Sequence, residues 1–193
     1  MILRRCLAWD PDAAPDAPGS PLWFPRMLQG DGRHDSPERY GCLYASEEPL
    51  SAVVEELARF GGTSLAPADL RRGGLPLALA ELGLADSAVL LDLDSPRILA
   101  RTGLRPSLVA TGERARTRAA AEAIHERLEV AGFRWWSAHE SQWTNVTLFD
   151  RARGLLSVES VSVLRPDDEL VGAAAAFLGL RVHGRADTRF DLT

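Results

Sequence analysis

Three strand-like runs, at 133–137, 145–150 and 155–164, follow one another with no helical pattern between them. A sheet wound throughout by alternating strands and helices is therefore disfavoured. The rest of the chain mixes elements just as irregularly. Strand candidates lie at 2–9, 41–45, 87–93 and 180–183, and 75–82 reads as either strand or helix. Helical patterns cover 49–60 and 113–130, a short helix opens at Ser95-Pro96, and another runs from Asp167 or Asp168 to 178. The expectation is an α+β fold, one mixed domain over 1–193, with neither an internal repeat nor a dividing boundary.

Local signals support these elements. Pro49 suits the first turn of a helix, where its missing amide costs nothing, and Leu50, Val53, Val54, Leu57 and Ala58 form an apolar stripe behind it. Gly132 is placed to stop the helix at 113–130. The proline- and aspartate-rich stretch 10–21 reads as a surface loop, and 61–74 as a connection.

Composition narrows the functional classes. With 46% hydrophobic and 25% charged residues the chain can build a core. A net charge of −5 opposes a phosphate backbone, so direct nucleic-acid binding is not expected. All 22 basic residues are arginine, so an anion site must use guanidinium forks or backbone amides. Cys6 and Cys42 form no CxxC pair, which argues against a disulfide framework and for a reducing compartment. The opening 1–10 lacks the apolar core of a signal peptide, and no apolar run approaches the roughly 20 residues of a membrane span. A cytoplasmic protein with no membrane association is expected.

Few passages carry recognisable chemistry. Gly30-Asp31-Gly32-Arg33 sets an arginine among glycines, a combination suited to phosphate or carboxylate. Its spacing matches no phosphate loop, so these residues alone favour a solvated surface turn. Glu55 and Glu56 flank the apolar stripe of their helix on opposite sides, so periodicity does not choose between them, and a solvated position is the default for both. Phe133-Arg134-Trp135-Trp136-Ser137, with Trp143 and Asn145, reads equally as a wall for a planar ring or as core. His34, His125, His139 and His183 have no metal-ligand spacing, and no metal is expected. Ser137 lacks the context of a nucleophile elbow. The glutamate–arginine pairs of the helix at 113–130 read as ordinary surface pairs.

Taken in order, these passages resemble the RES-domain family. The resemblance is carried by Gly32-Arg33, Asp35-Ser36-Pro37, Leu43-Tyr44-Ala45-Ser46 and Leu50-Ser51-Ala52-Val53-Val54-Glu55. It resumes at Arg134-Trp135-Trp136-Ser137 and at Asn145-Val146-Thr147-Leu148-Phe149. Arg33, Tyr44 and Glu55 are each eleven apart, as in the family, and that spacing favours Glu55 over Glu56. Arg5 resembles the family's other arginine, near the start of the domain. The motif-bearing part spans about 4–150, followed by a strand–helix–strand tail over 151–193. Cys6 and His34 stand where the family often carries aromatic residues, and 61–127 is longer than in compact members.

The resemblance implies an ADP-ribosyltransferase-like fold and cleavage of the nicotinamide–ribose bond of NAD. ADP-ribose would pass to water, to inorganic phosphate or to a protein, with NAD as substrate and no bound cofactor. A non-catalytic binding module on the same fold is the further alternative. On this resemblance Arg33, Tyr44, Glu55 and Ser137 are the candidate catalytic residues, and Arg5, Arg33, Tyr44, Ser137 and Asn145 contact substrate. It also implies a toxin with a helix-turn-helix antitoxin as partner, and a homodimer among the assemblies they form.

Overall fold

The computed structural model describes residues 1–109 and 111–183. Its centre is a mixed eight-stranded sheet containing β1 (Ile2–Ala8), β2 (Cys42–Ser46), β4 (Arg71–Arg72), β5 (Leu75–Leu84), β6 (Leu90–Asp92), β7 (Gly132–Trp136), β8 (Thr144–Phe149) and β9 (Leu156–Val163). The hydrogen-bonded order is β4-β5-β1-β2-β8-β7-β6, with β9 also paired to β5. Only β6 and β7 run parallel within it, and β7, β8 and β9 are the three consecutive strands expected from the sequence. A second, two-stranded parallel sheet joins β3 (Ser64–Leu65) to β10 (Arg181–Val182). Short strands thus lie within 61–74, which the sequence reads as plain connection. The final ten residues of the expected tail, 184–193, lie outside the described residues.

The ambiguous run at 75–82 is a strand because its alternate residues Ala80 and Leu82, with Leu84 just beyond, bury on one sheet face with Leu3, Leu7, Leu43, Val146 and Leu148. On the other face, α1 (Pro49–Leu57) packs on β1 and on α5 (Glu169–Leu178). Val53, Val54, Leu57, Leu77, Val171 and Ala174 close that layer. Because α1 is covered on two sides its buried arc is wider than the expected stripe: Ser51 and Ala52 are buried, while Leu50 and Ala58 are partly exposed. A third cluster sets α2 (Pro96–Thr102), α3 (Pro106–Val109) and α4 (Arg114–Arg127) against β7 and the far end of β8, through Leu99, Val109, Ala121, Ile124, Phe133 and Phe149.

Gly132 does not stop the long helix. α4 ends at Arg127, and Gly132 opens β7, where an added Cβ would collide with the Thr147 carbonyl oxygen and stand 2.9 Å from Leu148 Cα. The glycine is there for close approach of two strands. Asp168 does occupy the N-cap position of α5, but its carboxylate accepts from the Arg165 amide at 2.7 Å, outside the helix. Among the described residues no helix is long and apolar enough to cross a membrane.

The sheet is irregular between β1 and β2. β1 pairs with β5 over seven positions but with β2 only at Arg4 opposite Ser46. A continued ladder would place Cys6 opposite Tyr44; instead the strands part, and a cleft opens between them.

Candidate functional site

The cleft encloses about 600 Å³, and Arg5, Arg33, Tyr44, Glu55, Trp135 and Asn145 are among its walls. Strand register gathers them. Tyr44 lies opposite Thr147, Ser46 opposite Asn145, and Asn145 opposite Trp135. Cross-strand partners share a face and strand neighbours alternate, so Tyr44, Ser46, Asn145, Thr147 and Trp135 all stand on one side. α1 lies over that side and brings Glu55 to it.

Glu55 is held by neutral donors. Its Oε1 accepts from Ser137 Oγ at 2.8 Å and from Asn145 Nδ2 at 2.7 Å. Ser137 is buried, and its hydroxyl in turn accepts from the His139 amide at 3.1 Å. The Asn145 amide is oriented by two hydroxyls, since Oδ1 accepts from Ser46 at 2.6 Å and Ser51 at 3.0 Å. Oε2 of Glu55 lies 3.7 Å from His139 Nε2. Glu56 also borders the cleft, but it ion-pairs with Arg59, and with Arg72 at 3.1 Å. Glu55 is exposed, as periodicity expects, but hydrogen-bonded, and Glu56 is partly buried and ion-paired. The two differ in their partners: Glu55 Oε1 is held by a hydroxyl and an amide, whereas Glu56 is paired with two guanidinium groups.

Arg33 enters from the loop at 30–36. Its Nη1 donates to the Thr111 carbonyl at 2.6 Å, and its guanidinium lies 5.2 Å from the centre of the Trp135 ring. Trp135 therefore combines the two readings that its sequence context left open: it is a buried core residue and a cleft wall. Trp143 instead packs on Phe177, 4.8 Å between ring centres, away from the cleft. Arg5 donates to the carbonyls of Pro21 at 2.6 Å and Trp23 at 3.0 Å. Burial, helped by Arg72, lowers its pKa to about 10, which leaves it charged at neutral pH.

Tyr44 serves both the cleft and the loop. Its hydroxyl donates to Asp35 Oδ1 at 2.6 Å and accepts from the His34 amide at 2.9 Å, while burial pushes its pKa well above the ordinary tyrosine value. Gly32 is required at this point, because a Cβ would collide with Asp35 Oδ1 and lie 2.6 Å from the Tyr44 hydroxyl. His34 is buried and its pKa falls to about 3, chiefly by desolvation and secondarily through Arg33, so the ring is neutral. Its Nδ1 lies 2.9 Å from Thr147 Oγ1, which also accepts from Trp135 Nε1 at 3.1 Å. Cys6, at the other departure from the family pattern, lines the cleft as a thiol pushed up to about 12 by burial.

Five of the sequence-selected residues, Arg5, Arg33, Tyr44, Glu55 and Asn145, border the cleft. Ser137 stands behind Glu55 and bonds that carboxylate. Sequence reasoning gave no role to Asp35, Ser46, Ser51 or Thr147. All four sit inside the quoted family passages, and Ser51 falls on the apolar side of α1; those were the signals that pointed to them. Among the described residues no group of three or more His, Cys, Asp or Glu side chains gathers as a metal site.

The fold and the cleft define a mixed α/β protein whose sheet splits over a pocket lined by arginine, tyrosine and a hydrogen-bonded glutamate. Residues 5–170 match the RES domain model, and the chain belongs to the RES-domain family. The fold is similar to a chain in the crystal structure of the M. tuberculosis MbcT–MbcA toxin–antitoxin complex. The TM-score is 0.59 at 16% sequence identity, covering 93% of this chain and 88% of that one. No curated protein sequence matches.

Proposed function

We propose that this protein is a RES-type toxin that cleaves the nicotinamide–ribose bond of NAD and passes ADP-ribose to water or inorganic phosphate. The observation that carries this reading is Glu55, a carboxylate oriented by two neutral donors beside a cleft that arginines, Arg5 and Arg33 among them, also line. Breaking the N-glycosidic bond sends the electron pair to nicotinamide, which leaves neutral, and positive charge develops on the ribose. A fixed carboxylate stabilises that charge, and it does so best when no cation already neutralises it. Glu55 is held by Ser137 and Asn145 with no guanidinium on it among the described residues, whereas Arg59 and Arg72 pair with Glu56.

Arg33 and Arg5 supply planar donors for the pyrophosphate or an incoming phosphate. Tyr44 and Trp135 offer aromatic faces to the nicotinamide end. An oxygen of water or phosphate then bonds to the ribose carbon, and water gives up its proton to solvent. Ser137 acts here by orienting Glu55, so its contact with substrate is indirect. The protein would act in the cytoplasm, where a helix-turn-helix antitoxin bound over the cleft would restrain it.

The test is release of free nicotinamide from NAD by purified, folded, antitoxin-free protein, with and without phosphate. Turnover is expected, and its absence under both conditions overturns the reading. Labelled NAD in cell lysate separates the acceptors: a labelled protein band would make the enzyme an ADP-ribosyltransferase instead.

A further inference from the structure

Arg118 stands on α4, outside the residues that border the cleft. It forms no ion pair with a carboxylate among the described residues. Its Nε donates to the Gly32 carbonyl at 3.1 Å and its Nη2 donates to the Gly30 carbonyl. Beside it, Thr117 Oγ1 donates to the Arg33 carbonyl. The amides of the same two glycines are held from another direction, donating to Asp35 Oδ2 at 2.9 Å from Gly30 and 2.6 Å from Gly32. Each glycine is therefore fixed by both of its backbone groups, the amide on Asp35 and the carbonyl on Arg118.

Two glycines in one short loop carry more backbone entropy than any other residues would. Packing does not restrain Gly30, where a Cβ would meet nothing within 4 Å. Hydrogen bonds must supply the order. The two carbonyls lie two residues apart, and the rigid fork of a guanidinium spans them where a single ammonium cannot. We infer that Arg118 is a positioning residue: it holds 30–33 in the one form that aims the Arg33 side chain into the cleft. The kinetic consequence rests on the NAD reading above; the structural consequence does not.

The test has two arms. In substrate-free protein, amide hydrogen exchange at Gly30 and Gly32 should quicken about tenfold or more in Arg118→Ala, the loss of roughly 1.4 kcal/mol of hydrogen bonding. Amides within β2 should keep their wild-type rates. Unchanged exchange at the two glycines overturns the inference. In the second arm, kcat/KM for NAD is measured in Arg118→Ala, Arg33→Ala and the double variant. A loss of about tenfold or more is expected when Arg33 is present, with little further loss when it is absent. Equal losses in both backgrounds overturn the inference, since Arg118 would then act on folding in general. Should wild-type protein fail to cleave NAD, the functional reading falls while the exchange arm still decides on Arg118. Arg118→Lys, which keeps the charge and the stem, carries both measurements if the alanine variant does not fold.

Discussion

Asn145 Nδ2 donates to Glu55 Oε1 across 2.7 Å, joining side chains 90 positions apart in the sequence. The amide cannot turn over without breaking two bonds, because its Oδ1 is held by Ser46 and Ser51. The asparagine thus points a donor at the carboxylate permanently. A neutral donor so placed fixes direction and leaves charge intact, which is what distinguishes this glutamate from its neighbour.

Glu55→Gln keeps an oxygen for Ser137 and Asn145 and removes only the charge. Nicotinamide release should fall roughly a hundred- to a thousandfold, the usual cost of losing a preorganised group aimed at a transition state. Its Tm should stay within a few degrees of wild type. Glu56→Gln weakens two partly exposed ion pairs, a cost of about 0–1 kcal/mol, and should retain most of the activity. Similar rates in the two variants would remove Glu55 from the chemistry.

Arg33→Lys tests planarity at constant charge. Lysine cannot reproduce a two-point contact to phosphate or the place of a planar guanidinium over the Trp135 ring. Loss of one charged hydrogen bond is worth about 1.5–3 kcal/mol, so kcat/KM should fall roughly tenfold to a hundredfold. Wild-type constants in this variant would return Arg33 to the role of a solvated loop residue.

Acid should destabilise the protein through His34. Its pKa is about 3 in the fold and about 6.5 when unfolded, so between those values the unfolded chain binds the extra proton. Stability is complete above about pH 6.5 and is lost as the pH falls toward 3. His34→Phe keeps a ring against Phe133 and Trp135 and removes the titration. Between about pH 7.5 and 5 its Tm should decline less steeply than that of wild type, with a residual slope from His125, whose pKa burial also lowers. Parallel Tm curves would show that His34 does not titrate on unfolding.

Gly132→Ala should be costly and Gly154→Ala cheap. The first forces a Cβ into the Thr147 carbonyl, while nothing lies within 4 Å of the second. Overpacking of this kind costs about 1–3 kcal/mol, or several degrees of Tm for a chain of this size. Equal Tm values for the two variants would mean that β7 and β8 can separate freely.

Much of this architecture was legible in the sequence. Alternating apolar residues locate strands, Pro49 starts a helix, and the ordered passages from Gly32 to Phe149 select Arg33, Tyr44, Glu55, Ser137 and Asn145 from many similar residues. These signals are local or depend on spacing along the chain, which a single sequence displays. Tertiary structure alone decided the parting of β1 from β2, the neutral partners of Glu55 and the cationic ones of Glu56. It alone moved Gly132 from helix stop to strand contact, and turned Arg118 from a surface residue into a clasp on two loop carbonyls. The physical reason is the same in each case. A hydrogen bond or ion pair between distant segments has no periodicity, and a backbone carbonyl looks identical at every residue, so such partners acquire identity only when the fold brings them within about 3 Å.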